Sequence, residues 1–276
     1  MKINILMVVY NSMISDTALV NSALTTGLTS MYRIIADNST DLLIKSRNQA
    51  ECERLGICYV DMKGNVGLSK AYNRVISQLS KEETDVLIIF DQDTIVGTEY
   101  FDAIIKSLEE YPDISIHVPI VRNATKIMSP RKFSGTKIIS WDGSINEVQS
   151  NLACINSGSA IKLSVFRDIG RFDENLFLDM VDYDFYKNVS RNNLSIKVVD
   201  VTLQQQFSGD TYSTLASDLT RFSIYSKDYS YFAKKNGIRI LQTRIVLLKR
   251  ALKLSAHYHT IAFLKVLENL ELRRKT

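Results

Sequence analysis

Asp85-Val86-Leu87-Ile88-Ile89-Phe90-Asp91-Gln92-Asp93-Thr94 is an apolar run that delivers two carboxylates, two positions apart, at its end. It reads as a buried β-strand, and at i and i+2 of extended chain both carboxylates point to the same side. A hard divalent cation takes oxygen ligands and binds phosphates together with one or two carboxylates. D-x-D after a buried strand therefore suits Mg²⁺ or Mn²⁺ on a diphosphate. The competing reading is a solvated turn that merely ends the strand.

Outward from this stretch, residues 3–9, 32–36, 57–61 and 85–90 are short apolar runs ending at polar or turn residues, with helix-permissive segments between them. That alternation predicts an α/β domain with a largely parallel sheet. Ligands of such sheets bind beyond the carboxyl ends of the strands, and those ends are rich in Asp and Asn. Leu68, Ala71, Tyr72, Val75, Ile76 and Leu79 recur at helical spacing after Gly64-Asn65-Val66-Gly67, a strand-loop-helix unit. A glycine opening a helix leaves backbone N–H groups for an anion; equally, it allows tight packing beside an N-cap.

From about residue 114 to 162 the pattern turns to short strands punctuated by Pro119, Pro130, Gly135 and Gly143. Residues 214–235, 238–256 and 258–272 read as helices, with Ile245, Leu248, Leu252 and Leu254 set among Arg244, Lys249, Arg250 and Lys253. The expected organisation is one α/β domain over 1–213, divided near 112/113, followed by a basic amphipathic helical extension over 214–276.

The net charge of +4 hides a polarity. Residues 221–276 hold thirteen Lys and Arg against Asp228, Glu268 and Glu271, a net of +10, and the remainder carries −6. A nucleic-acid binder is not expected from a basic charge confined to one tail. The tail either meets an anionic membrane surface through 238–276 or pairs in a homodimer through its apolar face. Cys52, Cys58 and Cys154 are odd in number and lack a C-x-x-C pair, which points to a reducing cytoplasm without disulfide or zinc. The start, MKINILMVVYNS, lacks a small-residue cleavage site and reads as a first strand. The late apolar stretch Leu254–Leu264 is closed by Lys253 and Lys265, too short to span a bilayer. His117, His257 and His259 receive no role, and Trp141, Tyr225, Tyr229 and Tyr231 are read as packing.

Taken in order, Val9-Tyr10-Asn11, Ala36-Asp37-Asn38-Ser39, Asn65-x-Gly67-x-x-x-Ala71-x-Asn73, Asp91-Gln92-Asp93, Ile155-Asn156-Ser157-Gly158 and Phe172-Asp173-Glu174 leading into Asp179-x-x-Asp182-x-Asp184 form a specific series. From residue 3 to about 212 the chain resembles the inverting GT-A glycosyltransferases of family 2, and within them the bacterial rhamnosyltransferases. The resemblance implies a donor-nucleotide site of Val9, Tyr10, Asn11, Asp37, Asn65, Gly67, Asn73, Asp91 and Gln92. In it the Asp37 carboxylate accepts the imide N–H shared by thymine and uracil, and Asp93 binds the metal. It implies Asp182 as the base that takes a proton from the acceptor hydroxyl. Asn156, Ser157, Gly158, Asp179, Asp184 and Gln206 would stand on the acceptor or diphosphate side, in a catalytic domain (1–213) with a nucleotide-sugar half (1–112) and an acceptor half (113–213).

Crowding of Asp179, Asp182 and Asp184 is expected to raise one carboxyl's pKa; the plainer reading is an acidic helix start facing the macrodipole. After the strand at Ile196–Val199 the family usually has a His followed by Gly, whereas the matching run here is Gln206-Phe207-Ser208-Gly209. The resemblance implies transfer of L-rhamnose from dTDP-β-L-rhamnose to a polyprenyl-diphosphate-linked glycan for a cell-surface polysaccharide. The enzyme would be peripheral at the inner membrane face. A UDP-sugar donor is one alternative, and a catalytically silent sugar-nucleotide-binding subunit is another.

Overall fold

The apolar run before Asp91 lies in the middle of the sheet. The computed structural model describes residues 1–17, 19–20, 31–79, 85–145, 147–205 and 213–272. Strands β1 (Ile3–Val9), β2 (Tyr32–Asp37), β3 (Cys58–Asp61) and β4 (Val86–Asp91) are parallel and lie in the order β3-β2-β1-β4. Their register sets Val9 level with Asp37, Val8 with Asp91, and Asp37 with Asp61, so the polar strand ends share one edge. These strands are apolar on both faces because both faces are covered. Leu87 and Ile89 join one core cluster, while Val86, Ile88 and Phe90 join the other.

Beyond β4 the sheet continues through β12 (Ser159–Lys162), antiparallel to its neighbours, to β6 (Ile116–Arg122) and β13 (Ile196–Gln205). Strand β13 is longer than the sequence indicates. It runs ten residues and pairs near its end with β5 (Thr94–Ile95), setting Gln205 opposite Thr94 beside the D-x-D loop. The edge strands β7 (Ile127–Ser129) and β10 (Val148–Gln149) pair with β6 and β13. A small sheet of β8 (Arg131–Ser134), β9 (Lys137–Ser140) and β11 (Leu152–Ala153) stands apart.

Helices α1 (Leu42–Leu55), α2 (Leu68–Ile76), α3 (Thr98–Glu110), α4 (Leu163–Asp168) and α5 (Val181–Arg191) follow the strands. Helix α6 (Leu215–Lys235), α7 (Ile240–His257) and α8 (Ala262–Leu272) make the C-terminal unit. The last begins later than its apolar pattern indicates: His259 is left-handed (φ 49°), and Thr260 Oγ1 accepts the Ala262 N–H. Helix α6 is shared between two cores. Phe232 packs into the main cluster, whereas Phe222 and Tyr225 pack with Leu247, Ala251 and Phe263, against which Met180 also lies. Among the described residues no helix is long and apolar enough to cross a membrane.

Candidate active site

The end of β4 carries the two carboxylates into a tightly bonded loop. Gln92 Oε1 accepts the Tyr10 N–H at 2.8 Å, tying the loop to the end of β1. Ser157 Oγ accepts the Asp91 N–H at 3.2 Å and shares a 2.6 Å bond with Thr94 Oγ1. Gln205 Nε2 donates to Asp91 Oδ2 at 2.8 Å and to Asp93 Oδ1 at 3.1 Å, so one amide bridges both carboxylates. Burial pushes Asp91 up to about 6, with repulsion from Asp93 adding to it, and burial also raises Asp93. Two carboxylates that resist ionisation together form a place for positive charge.

Whether these residues fit a divalent ion follows from the donors present. Among the described residues no group of three or more His, Cys, Asp or Glu converges. Two carboxylates do, and Gln205 Oε1 beside them is a buried acceptor without a hydrogen-bond partner among the described residues. All three are hard oxygen donors. Mg²⁺ or Mn²⁺ taken up with a diphosphate needs one or two protein carboxylates, so the set fits such an ion.

Asp182 lies in the first turn of α5, reached through Met180 in a left-handed conformation (φ 64°). Asn156, fully buried, donates through Nδ2 to Asp182 Oδ1 at 2.6 Å. Burial first, then the charges of Asp91 and Asp179, push Asp182 up to about 8, and bonds from Asn156 oppose the rise. The buried Tyr72 hydroxyl interacts with both Asp91 and Asn156, and so stands between the D-x-D end and the Asp182 end of the site.

The expected crowding of three carboxylates needs correction in its cause. Asp184 is not among the groups that raise Asp182. It is held by Lys235 Nζ at 2.7 Å, which also reaches Asp173 at 2.7 Å. Asp179 is gripped by both guanidinium nitrogens of Arg221, with Nη2 to Oδ1 at 2.8 Å. Helix α6 thus neutralises two of the three acids, and Asp182 has no cation partner among the described residues. The same helix supplies Asp228, 3% exposed, whose carboxylate accepts the N–H groups of Phe177, Leu178 and Asp179 at 3.1, 2.8 and 2.8 Å.

The other anticipated residues divide by what they touch. Asp37 is fully buried: Oδ1 accepts the Ser39 N–H, and Oδ2 accepts from Asn48 Nδ2 and the Tyr59 hydroxyl. Asn11 Oδ1 accepts the Thr40 and Asp41 N–H groups, fastening the loop after β1 to the loop after β2, while Tyr10 is exposed and Val9 is core.

At the start of α2, the Gly67 N–H is taken by Asn65 Oδ1 and the Leu68 N–H by the Phe177 carbonyl at 2.7 Å. A Cβ on Gly67 (φ 88°) would lie 2.6 Å from that carbonyl oxygen, so the glycine permits a close approach there. Asn73 brackets Phe172, accepting its N–H and donating to its carbonyl. Gly158 donates to the Ile89 carbonyl and accepts from Tyr100, fixing Asn156 and Ser157 beside β4. Gln206 lies outside the described residues.

The sequence pattern alone assigns no site role to Gln205, Tyr72, Arg221, Lys235 or Asp228. For Gln205 a signal existed: Val201, Leu203 and Gln205 alternate on the buried face of β13, so extending the period-2 pattern past Val199 reaches it.

Residues 5–170, more than half of the chain, match the family model described as glycosyl transferase family 2. A dTDP-rhamnosyl transferase, RfbF, of Shigella flexneri is 23% identical over 219 residues, covering 76% of this chain and 71% of that protein. Among solved structures, TarS of S. aureus superposes with a TM-score of 0.54 at 13% identity, covering 83% of this chain and 40% of TarS. A structure of GalNAc-T7 with UDP, GalNAc and Mn²⁺ gives a TM-score of 0.60 at 12% identity, covering 95% of this chain and 59% of that one. The chain thus spans less than two thirds of these two structures, and the likeness shows a shared GT-A fold.

Proposed function

Because the chain belongs to glycosyl transferase family 2, we propose that it is an inverting transferase that moves L-rhamnose from dTDP-β-L-rhamnose to a polyprenyl-diphosphate-linked glycan at the inner face of the cell membrane. The observation that carries this is Asp182, a carboxylate without a cation partner among the described residues, raised by burial and facing the charge of Asp91. A solvated acidic helix start would not be held this way. Rhamnose as the donor sugar rests on the D-Q-D and N-S-G spellings and on the likeness to the Shigella flexneri protein.

In the proposed reaction the Asp182 carboxylate takes the proton of the acceptor hydroxyl as its oxygen bonds to the anomeric carbon, from the face opposite the diphosphate. The bond from that carbon to the diphosphate oxygen breaks, and dTDP leaves with the electron pair. A base poised near neutrality is effective in such a transfer. Asp91 and Asp93 would hold Mg²⁺ or Mn²⁺, with Gln205 Oε1 as a third oxygen; when bound, the ion offsets the charge that develops on the leaving diphosphate. Asn156 orients Asp182 through its 2.6 Å bond.

Nucleotide release is the test, measured with dTDP-rhamnose, UDP-GlcNAc, UDP-galactose and UDP-glucose, a lipid-linked acceptor extract, and Mg²⁺, Mn²⁺ or EDTA. Release of dTDP that EDTA suppresses and Asp182→Asn abolishes is the expected result. Release from a UDP-sugar instead overturns the donor, and release that survives Asp182→Asn overturns the base.

A further inference from the structure

Helix α7 has two apolar faces, and the described residues cover one of them. Thr243, Leu247 and Ala251 face inward, against a cluster with Phe222, Tyr225 and Phe263. Leu241, Ile245, Leu248 and Leu252 lie on the other side, 69%, 43%, 46% and 50% exposed. Their spacing of four, three and four residues makes one continuous stripe at 3.6 residues per turn. The same periodicity sets the exposed Arg244 along one border of the stripe and the exposed Lys249 and Lys253 along the other. Residues 240–257 contain no Asp or Glu.

We propose that this face of α7 lies flat on an anionic lipid bilayer, with the four aliphatic side chains in the acyl boundary and the flanking cations among the headgroups. An apolar stripe rimmed by Lys and Arg is the pattern of a helix lying in the membrane interface. A second copy of the chain is the poorer occupant. In a two-fold contact the face would meet itself, and its acid-free cationic rims would then face each other. A bilayer instead supplies the apolar layer and the negative charge together.

The seat also has a direction. Arg250 lies over the Tyr225 ring of α6 at 3.9 Å, and Arg221 of α6 grips Asp179. Met180, two residues before Asp182, packs against the cluster that carries the inner face of α7. The docked helix therefore shares one packed unit with the loop that holds the base. The benefit to a lipid-linked acceptor rests on the function proposed above; the docking itself does not.

Co-sedimentation of the full chain with phosphatidylcholine vesicles, with and without phosphatidylglycerol, tests the docking. We expect binding to the anionic vesicles alone, weakening as salt screens the headgroups. Leu248→Gln with Leu252→Gln should weaken it at least about tenfold, and Lys249→Glu with Lys253→Glu by roughly tenfold or more. Leu42→Gln, at a side chain 80% exposed on α1, should leave it unchanged. Circular dichroism and thermal melting confirm that each variant folds.

Failure to sediment with anionic vesicles overturns the proposal, as does undiminished binding of the Leu248→Gln, Leu252→Gln protein. A dimer in light scattering that this same pair of substitutions splits would assign the stripe to self-association and overturn it too. Vesicle binding without nucleotide release from any donor would leave the docking standing and reject the transferase.

Discussion

Asp182→Asn should abolish nucleotide release and at the same time stabilise the fold at alkaline pH. In the unfolded chain this carboxyl ionises near 4, whereas in the fold burial and Asp91 hold it up to about 8. Between those values the native state keeps a proton that the unfolded state has lost. Stability therefore falls as pH rises across the window, by up to about 1.4 kcal/mol per pH unit, and levels off above the folded pKa. Asparagine has no charge to desolvate, and its carbonyl oxygen still accepts from Asn156 Nδ2. It also relieves Asp91, itself pushed up to about 6. We expect the variant to exceed the parent by about 2–4 kcal/mol near pH 8.5, and by less than about 1 kcal/mol near pH 4.5. Urea denaturation in EDTA across that range measures both. A variant that is less stable at every pH, or a difference that does not change with pH, would refute the account of Asp182 as a carboxyl held against its own ionisation.

Other substitutions test the supports of the site. Asp228→Asn leaves one oxygen for three backbone N–H groups and should cost about 2–4 kcal/mol in urea denaturation; a loss below about 0.5 kcal/mol would show that the three bonds do not hold the loop. Gly67→Ala drives a Cβ into the Phe177 carbonyl at a positive φ, so a loss of at least about 2 kcal/mol is expected, together with a fall in turnover because that carbonyl lies in the loop leading to Asp182. Gln205→Glu brings a third carboxylate to Asp91 and Asp93; calorimetry without nucleotide should show Mn²⁺ bound at least about tenfold more tightly, with lower stability in EDTA. Unchanged Mn²⁺ affinity would remove Gln205 from the cation's surroundings.

The sheet was legible because its evidence is local. Five apolar residues between Asp85 and Asp91, and the helical spacing from Leu68 to Ile76, need no distant partner to be read, and both elements form within a few residues of their expected bounds. The D-x-D pair was legible for the same reason. What Asp179 and Asp184 do was not, since their cations, Arg221 and Lys235, stand 42 and 51 residues further along the chain. Three acids in six residues look alike in sequence; only the packing of α6 distinguishes them. The glycine before α2 carries two readings that local sequence does not separate: Asn65 takes the Gly67 N–H from within the loop, but whether the Leu68 N–H is free for an anion or taken by the Phe177 carbonyl depends on where residues 172–178 run.

The basic C-terminal segment does more than one kind of electrostatic work, and the structure separates them by helix face. Arg221 and Lys235 turn inward on α6 and pair with Asp179 and Asp184, while the remaining carboxylate of that cluster is governed first by burial, then by Asp91, with a smaller push from Asp179. A like-charged neighbour raises a carboxyl and a cation lowers it. Pairing Asp182 itself would therefore have made a stable ion pair and a poor base. Asp182 lies beyond the residues that match the family model, and so do the α6 cations that pair with its neighbours Asp179 and Asp184. The matched residues thus include the strand ends that carry Asp37 and Asp91, while the surroundings of Asp182 depend on a helix from the tail. Lys249 and Lys253 face outward on α7 and take no part in that balance, so the surplus of positive charge is available to a surface outside the protein.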